Sequence, residues 1–234
     1  MLPVAILAGG LATRLRPRTD AVPKALLRVA GRPFIHWQLA LLEQQGVTQV
    51  VLCAGHLGDQ IQAAVGDGSS FNMTVRYSFD GDRLLGTGGA LKRALPMLGT
   101  AFFVLYGDSY LRCSFPAVQA AYEASGAPGL MTVFRNEDRW EKSNVLFRDD
   151  RVVEYDKHSP RTDMRHVDYG LSILSTQALQ RTPVDAAFDL ADLYHELAAH
   201  GELAALAIDQ RFYEIGSLGG IEATERYLMG GGCI

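Results

Sequence analysis

Short apolar runs alternate with helical patterns from the first residues of this chain. Residues 4–8 are continuously apolar and are followed by glycine, which is typical of a strand buried on both faces. Residues 34–45 then repeat apolar positions at helical spacing and end at Gly46. Such alternation predicts an α/β domain with a mainly parallel sheet and helices on both faces. Further strand-like runs lie at residues 48–53, 73–78 and 101–108, and further helical patterns at 57–65 and, behind a glycine-rich turn, 88–98.

The second half of the chain is richer in strands. Two clear helices are predicted there, one at residues 189–201 and one that starts at Ser217, a typical N-cap residue. Since single α/β domains reach 234 residues, we expect one domain over residues 1–234. The strand-like runs of this half lie at residues 129–135, 144–149, 151–157, 166–174 and 202–209.

Composition and charge limit the classes of partner. The chain carries a net charge of −4 without any basic block, which argues against nucleic acid as a partner. No stretch approaches about 18 consecutive apolar residues, so neither a transmembrane helix nor a membrane partner is expected. Three cysteines without a CxxC pair support neither a disulfide framework nor a zinc site. These features predict a cytoplasmic protein and leave open whether it forms a homo-oligomer.

The stretch ILAGGLATRLRPRTDAVPKALL, at residues 6–27, gathers positive charge directly after the first predicted strand. Gly9 and Gly10 allow backbone N–H groups to approach an anion closely, and such concave sites bind phosphate oxygens. Arg14 can contact two phosphate oxygens, and Lys24 offers a point charge to one. The spacing matches neither the G-x-G-x-x-G dinucleotide motif nor the P-loop. We therefore favour a phosphate-binding loop over a solvated turn with basic surface residues.

Several motifs in order carry a resemblance to a known family. The sequence G-G-x-x-T-R-L followed by P-K-A-L resembles the sugar-1-phosphate nucleotidylyltransferases, also called NDP-sugar pyrophosphorylases. The resemblance extends over nearly the whole chain and is closest to short single-domain bacterial members, such as heptose- and mannose-1-phosphate guanylyltransferases. The other motifs are GRPFIHWQL at 31–39, LGTGGAL at 85–91, VLYGDSY at 104–110 and FYEIGSLGGIEATERYL at 212–228.

The resemblance implies a fold and a reaction. The fold is the Rossmann-like nucleotide-diphospho-sugar transferase fold, with residues 1–112 as the nucleotide-binding half and residues 113–234 as the sugar-phosphate-binding half. The reaction is Mg²⁺-dependent transfer of a nucleotidyl group from an NTP to a sugar 1-phosphate, which releases pyrophosphate. Because a phosphate monoester is already an anionic nucleophile, such catalysis needs positioning and charge neutralisation rather than a general base.

Two alternatives belong to other functional classes. One is a nucleotide-sugar-dependent glycosyltransferase of related fold, which is disfavoured because residues 107–110 read Gly-Asp-Ser-Tyr in place of an Asp-x-Asp metal motif. The other is a non-catalytic nucleotide-binding protein of the same fold. The presence of Arg14, Lys24 and Asp108 together makes this second alternative less favoured than an enzyme.

The resemblance also implies roles for individual residues. Asp108, at the end of a predicted strand, is expected to hold Mg²⁺ together with Glu214, which stands where the family usually has aspartate. Asp108, Arg14 and Lys24 form the expected catalytic set. The residues expected to bind the nucleotide are Ala8, Gly9, Gly10, Thr13, Arg14, Asp80, Gly86 and Thr87, and those expected to bind the sugar phosphate are Asn144, Glu154, Lys157, Asp168 and Tyr169.

Departures from the family pattern leave both substrates open. Asn144 replaces a usual glycine, and Asp168 and Tyr169 replace a usual Asn-Ala pair, so the sugar is undetermined. An ionised carboxylate at Asp80 or Asp82 only accepts hydrogen bonds, which suits guanine N1–H and N2–H₂ best and also suits cytosine N4–H₂. We therefore favour GTP. Ala12 stands where the family usually has a third glycine, and a positive φ there would cost about 1 kcal/mol.

Overall fold

The computed structural model describes residues 1–183 and 186–230, and six α-helices and thirteen strands lie within these ranges. No helix in these ranges is long and apolar enough to cross a membrane. The strands are β1 (Val4–Leu7), β2 (Arg28–Val29), β3 (Arg32–Pro33), β4 (Gln49–Ala54), β5 (Thr74–Phe79), β6 (Ala101–Tyr106), β7 (Ser109–Tyr110), β8 (Gly129–Arg135), β9 (Val145–Arg148), β10 (Arg151–Tyr155), β11 (His166–Ser175), β12 (Leu203–Ile208) and β13 (Tyr213–Glu214). The helices are α1 (Phe34–Gln44), α2 (Gly58–Val65), α3 (Gly86–Ala94), α4 (Phe115–Ser125), α5 (Leu190–Ala199) and α6 (Leu218–Met229).

Nine strands form one mixed sheet in the order β5-β4-β1-β6-β11-β8-β12-β10-β9. β1 lies between β4 and β6 and pairs with both in parallel, and β4 pairs with β5 in the same sense. Beyond β6 the pairing changes, because β11 runs antiparallel to both β6 and β8, whereas β12 is parallel to β8. The predicted α/β fold is confirmed. The sheet is mixed rather than mainly parallel, because among the described strands consecutive parallel pairings occur only in the run β5-β4-β1-β6, whereas β11, β10 and β9 pair antiparallel.

Helices cover both faces of the sheet because successive strand side chains point to opposite faces. Val4 and Ile6 of β1 pack in one core with α1, α2 and α4, whereas Ala5 and Leu7 pack in the other core with α3 and α5. All four side chains are buried. β1 therefore contributes to both cores, which is the physical reason for its continuously apolar sequence.

α6 packs in a third, smaller apolar cluster. Ile221 and Leu228 of this helix contact the cluster that contains Phe34 of α1. Ser217 is the N-cap of α6, as the sequence predicts, and its Oγ accepts a hydrogen bond from the N–H of Gly220 at 2.9 Å. Because β13, just before α6, pairs with β7, just after β6, the start of α6 is held close to the end of a central strand.

The boundaries of α3 differ from the prediction of a helix over residues 88–98. The helix begins at Gly86, so the glycine-rich turn forms its first turn rather than preceding it. It ends at Ala94, and Leu95–Met97 continues as a 3-10 turn. Pro96 explains the early end, since proline has no backbone N–H to extend the α-helical hydrogen bonds.

The loop after β1 contains a residue in the left-handed region. Ala12 has φ 48° and ψ 41°, a conformation that favours glycine. Its carbonyl oxygen accepts hydrogen bonds from the Leu15 N–H and from Thr19 Oγ1, both at 3.0 Å, which fix the backbone there. The chain thus forms this turn with alanine and bears the conformational cost of its side chain.

Ala12→Gly is expected to raise the free energy of unfolding by about 0.5–1 kcal/mol, since the left-handed strain that it removes exceeds the freedom that it adds to the unfolded chain. Urea unfolding of both proteins measures the change. Ala63→Gly, at an exposed position inside α2, is the matched control and is expected to lower stability by about 1 kcal/mol. A loss of stability in Ala12→Gly would contradict the strain.

Candidate active site

Two cavities open side by side at the carboxyl ends of β1 and β6, the edge at which open α/β sheets bind ligands. The smaller cavity has a volume of about 290 Å³ and is lined by the loop after β1. The larger cavity, of about 590 Å³, lies beside β11 and β13. Tyr106, Asp108 and Lys157 line both cavities. These three residues therefore mark the junction between the two cavities.

The floor of the smaller cavity consists of backbone segments in close contact. A Cβ on Gly9 would lie 2.7 Å from the backbone nitrogen of Gly55, and a Cβ on Gly107 would lie 2.7 Å from the carbonyl oxygen of Leu7. A side chain at either position would push the strand ends apart. Gly10, by contrast, is exposed and lines the open cavity. Gly9 thus serves close packing, and Gly10 leaves the backbone accessible to a ligand.

Asp80 is a buried carboxylate in the wall of the smaller cavity. Its Oδ2 accepts a hydrogen bond from the Leu85 N–H at 3.1 Å, and its backbone carbonyl oxygen accepts one from Arg93 Nη1 at 2.6 Å. Burial raises the pKa of Asp80, whereas the Leu85 N–H and the Arg93 guanidinium lower it. The smaller cavity thus has a carboxylate in its wall, which suits a ligand that presents hydrogen-bond donors.

The glycine-rich first turn of α3 packs against the segment before α5. A Cβ on Gly86 would lie 2.5 Å from the carbonyl oxygen of Phe188, and a Cβ on Gly88 would lie 2.1 Å from the Phe188 ring. Both glycines are therefore needed for packing. Thr87, which lines the smaller cavity, donates a hydrogen bond from Oγ1 to Asp189 Oδ1 at 2.9 Å. Its hydroxyl thus binds the same segment of protein.

A short ion pair lies at the junction of the cavities. Lys24 Nζ is 2.6 Å from Asp108 Oδ2. Gln38 holds the loop that carries Asp108, because its Nε2 donates to the carbonyl oxygens of Tyr106 at 2.9 Å and Ser109 at 2.8 Å. Gln38 is 1% exposed, and its Oε1 has no hydrogen-bond partner within the described ranges. The backbone around Asp108 is thus held by Gln38 of α1, and its carboxylate is held by Lys24.

The carboxylates of Asp108 and Glu214 both lie beside Gly216. A Cβ on Gly216 would lie 3.3 Å from Asp108 Oδ2 and 2.8 Å from Glu214 Oε2. Glu214 accepts hydrogen bonds from the Gly216 N–H and from Ser217 Oγ, the latter at 2.7 Å. Its extra methylene fits because a Cβ on Gly220 would lie only 1.7 Å from Glu214 Oε1. The missing side chain of Gly220 therefore accommodates glutamate in place of aspartate.

The two carboxylates fit an open magnesium site. Mg²⁺ prefers hard oxygen ligands and is usually held by one or two carboxylates together with waters and substrate phosphates. Among the described residues, no group of three or more His, Cys, Asp and Glu side chains is placed to hold a metal ion. A metal ion at Asp108 and Glu214 would therefore need substrate oxygens to complete its ligands.

The larger cavity combines acidic and basic groups. Asp168 Oδ1 accepts a hydrogen bond from the Gly170 N–H at 2.9 Å. Burial raises the pKa of Asp168 to about 7, against the effects of the Gly170 N–H and of Lys157, and the Glu141 carboxylate adds to the rise. Arg14 lines this cavity rather than the smaller one. The cavity thus offers both hydrogen-bond acceptors and positive charge to a ligand.

Aromatic rings close one side of the larger cavity. Trp140 packs against Phe134 and Phe212, with ring centroids 5.5 and 6.4 Å apart, respectively. The Arg211 guanidinium lies 4.9 Å from the centroid of the Trp140 ring. Trp140, Arg211 and Phe212 all line the cavity, and so does Glu141. This wall joins the loop before β9 to the loop before β13.

Most of the residues that the resemblance implicates line a cavity. Thr13 lies exposed in a 3-10 turn, and Glu154 pairs with Arg161 at 3.0 Å, so these two line neither cavity. Tyr169 lines the larger cavity, while its hydroxyl accepts a hydrogen bond from the Arg112 N–H at 3.2 Å. The implicated residues that line a cavity are Ala8, Gly9, Gly10, Arg14, Lys24, Asp80, Gly86, Thr87, Asp108, Asn144, Lys157, Asp168, Tyr169 and Glu214.

Sequence reasoning missed four residues that shape the site, namely Gln38, Trp140, Glu141 and Asp189. Gln38 could have been noticed, because it lies next to Leu39 on the buried face of α1 and is the polar residue of that face. Asp189 shows only the usual signal of an N-cap before α5. Trp140 and Glu141 lie in a polar loop whose fold the local sequence does not indicate.

Asp168→Asn is expected to flatten the pH dependence of stability between pH 4 and 7. Because folding raises the pKa of Asp168 from 3.8 to about 7, the folded wild type binds more protons than the unfolded chain in this range, and stability falls as pH rises. Relative to D168N, the wild type is expected to lose up to about 1.4 kcal/mol per pH unit. Urea unfolding at pH 4–8 measures this difference.

The control for this prediction is Asp82→Asn, an exposed carboxylate outside both cavities. Its stability curve is expected to follow that of the wild type. If D168N also followed the wild type over the whole pH range, the raised pKa of Asp168 would be refuted.

Comparison with curated proteins finds relatives that act on sugar phosphates. The N-acetylmuramate alpha-1-phosphate uridylyltransferase of Neisseria meningitidis is 44% identical over 124 residues, which cover 53% of this chain and 53% of that protein. The mannose-1-phosphate guanyltransferase of Aspergillus fumigatus is 27% identical over 220 residues, which cover 90% of this chain and 60% of that protein. The chain thus spans about half to three fifths of the length of the curated relatives it matches.

Solved structures and a family model agree with the fold. HddC from Yersinia pseudotuberculosis, in a crystal structure with GMP-PN, has a TM-score of 0.79 at 25% identity and covers 97% of this chain and 100% of that chain. The inositol-1-phosphate CTP transferase of T. maritima has a TM-score of 0.80 at 19% identity, covers 100% of this chain and 98% of that chain, and shows the fold alone. The family model described as Nucleotidyl transferase matches residues 4–144, more than half of the chain. As its motifs predict, the chain belongs to the nucleotidyl transferase family.

Proposed function

We propose that this chain transfers a nucleotidyl group from an NTP to a sugar 1-phosphate and releases pyrophosphate. The observation that carries the proposal is the junction of the two cavities at Asp108 and Lys157. A nucleotide in the smaller cavity and a sugar phosphate in the larger one would meet there through their phosphates. Lys24, which contacts Asp108, lines the smaller cavity at the same junction.

The residues at the junction act by binding, positioning and neutralising charge. A terminal phosphate oxygen of the sugar 1-phosphate attacks the α-phosphorus of the NTP. The bond from that phosphorus to the oxygen shared with the β-phosphorus breaks, and pyrophosphate leaves. Gly10 offers its backbone N–H to the triphosphate, and Lys24 and Lys157 offset the negative charge on either side of the reacting phosphorus. The nucleophile is an anionic monoester, so no side chain has to remove a proton.

Asp108 and Glu214 would hold Mg²⁺ during this reaction. When bound, Mg²⁺ neutralises charge on the phosphate oxygens. Arg14 Nη2 lies 3.6 Å from the Cβ position of Gly216, and both carboxylates also lie beside Gly216. Its guanidinium can therefore bind phosphate oxygens next to the carboxylates, where its planar donors suit bidentate contact.

We propose GTP as the nucleotide. The buried Asp80 carboxylate lines the smaller cavity, where it can accept hydrogen bonds, and guanine presents N1–H and N2–H₂ donors. The likeness to HddC, solved with the guanine nucleotide GMP-PN, supports this base. UTP is the second candidate, because the relative from Neisseria meningitidis is a uridylyltransferase and uracil presents an N3–H donor.

Pyrophosphate release tests the proposed reaction. Each of the four common NTPs is mixed with Mg²⁺ and with glucose-, mannose-, heptose- or amino-sugar 1-phosphates, and we expect release with GTP and one class of sugar. Asp108→Asn is expected to lower kcat about 100-fold or more, since it removes charge that positions the phosphates and the metal ion. Asp59→Asn, on the exposed surface of α2, is the control and is expected to leave kcat unchanged.

Other outcomes of this assay separate the alternatives. A nucleotide-binding protein without catalysis would bind an NTP and release no pyrophosphate from any mixture. A glycosyltransferase would instead consume a nucleotide sugar and release a nucleoside diphosphate. Wild-type activity in Asp108→Asn would refute the assignment of Asp108 to the metal ion and the phosphates.

Asp80→Asn is expected to lower kcat/KM for GTP about 10- to 100-fold and to change that for UTP much less, because two donors of guanine lose a charged acceptor. Asn keeps an acceptor for the Leu85 N–H, so the fold of the turn is retained. Asp82→Asn, two residues away and exposed, is the matched control. Equal losses with GTP and UTP would show that Asp80 supports the turn rather than selecting the base.

A further inference from the structure

We propose that Asp189 is a positioning residue that holds the ammonium group of Lys157 at the junction of the two cavities and ties it to the glycine-rich first turn of α3. This inference rests on the proposed function, in which Lys157 neutralises charge beside the reacting phosphorus. Asp189 lines neither cavity, so it acts through Lys157 and Thr87 rather than on a substrate.

The Asp189 carboxylate uses both of its oxygens. Oδ2 is 2.8 Å from Lys157 Nζ, whereas Oδ1 accepts hydrogen bonds from Thr87 Oγ1 at 2.9 Å and from the Ala191 N–H at 3.1 Å. Burial raises the pKa of Asp189. Hydrogen bonds from Lys157, the Ala191 N–H and Thr87 lower it by more than burial raises it, so the pKa lies below its usual value. The carboxylate therefore stays charged where the enzyme works.

Lys157 needs such a partner because its own backbone position does not fix its side chain. It lies two residues beyond the end of β10 at Tyr155, and its side chain is half exposed. A free lysine side chain populates many rotamers, and this freedom is lost when its ammonium group is held in one place. The ammonium group has three donors, and Asp189 uses one of them. The other two stay available to phosphate oxygens while the ion pair holds the nitrogen in place.

The start of α5 is a rigid support for this ion pair. Asp189 is the N-cap of α5, and this helix packs on β10, the strand that leads to Lys157. His195 of α5 shares a hydrogen bond with the carbonyl oxygen of Tyr155 at 2.7 Å, and the rings of Tyr155 and Tyr194 lie edge to face. Asp189 and Lys157 thus belong to elements that are packed together.

The segment that contains Asp189 is also hydrogen-bonded to the wall of the smaller cavity. The Phe188 N–H donates to the Leu85 carbonyl oxygen, and the Gly88 N–H donates to the Phe188 carbonyl oxygen, both at 3.0 Å. The Leu190 N–H donates to Thr87 Oγ1 at 2.8 Å. Because Thr87 lines the smaller cavity, the contacts from Thr87 through Asp189 to Lys157 fix the position of the Lys157 ammonium group relative to the wall of that cavity.

The first test is Asp189→Asn, measured with the substrate pair on which the wild type is active. Asparagine is also a good N-cap and can accept the Thr87 hydrogen bond, so the main loss is the charge that holds Lys157. We expect kcat to fall about 10- to 100-fold with little change in KM for the NTP, since small displacements of a positioning group cost that much. Asp192→Asn, in the exposed first turn of α5, removes a charge at the same helix end and is expected to match the wild type.

The second test asks whether Asp189 acts through Lys157. In a Lys157→Met background, assayed by product accumulation over hours, Asp189→Asn is expected to cause less than a twofold further loss, because the group that it positions is already gone. Thr87→Val is expected to lower kcat in the same way as Asp189→Asn, and Thr87→Ser, which restores the hydroxyl, is expected to recover most of the activity. The Thr87 pair leaves the N-cap of α5 intact and so carries the test if Asp189→Asn folds poorly.

The outcomes that overturn the inference are distinct from failure of the proposed function. A wild type that is active, together with Asp189→Asn and Thr87→Val variants of equal kcat, would overturn the positioning role and leave the proposed function standing. If Asp189→Asn lowered kcat by the same factor in the wild type and in the Lys157→Met background, Asp189 would act by another route. A wild type that releases no pyrophosphate from any substrate pair would overturn both.

Discussion

The close approach of parallel strands at the carboxyl end of β1 is the constraint on which the rest of the structure depends. Gly9 and Gly107 have no room for a side chain, because a Cβ at either position would lie 2.7 Å from a backbone atom. β1 is flanked by β4 and β6 and contributes side chains to both cores, so it cannot shift to relieve such a contact. The loops that leave these strands must diverge above the sheet, and the space that they enclose forms the two cavities.

Two lysines reach the junction of the cavities, and each is paired with a carboxylate. Lys24 contacts Asp108 at 2.6 Å, and Lys157 contacts Asp189 at 2.8 Å. These ion pairs keep the two ammonium groups in place and limit the repulsion between them. The two carboxylates differ in position, because Asp108 lines both cavities, whereas Asp189 lies behind Lys157. A ligand in these cavities can therefore contact Asp108 directly, whereas Asp189 can affect it only through Lys157.

The parts of the fold that were predictable from the sequence depend on local pattern. The apolar run of β1, the N-cap Ser217 and the strand-end position of Asp108 are each set by neighbouring residues. Gln38 and Asp189 were not predictable as site residues, because the hydrogen bonds that connect them to the site join residues 32 to 102 positions apart. A single sequence shows what a side chain can bind, but the partner is decided by how distant strands and helices pack.

Motif residues also have roles that the motif alone does not distinguish. Gly86 and Gly88 belong to a glycine-rich turn that the resemblance assigns to the nucleotide, yet both have protein backbone or ring atoms where a side chain would lie. Departures from the family pattern also depend on how the neighbouring residues pack. Glu214 fits in place of aspartate because Gly220 makes room for it, whereas Ala12 keeps a left-handed turn that no neighbour relieves. A substitution in such a motif is therefore tolerated where packing leaves space, and strained where the backbone conformation itself excludes a side chain.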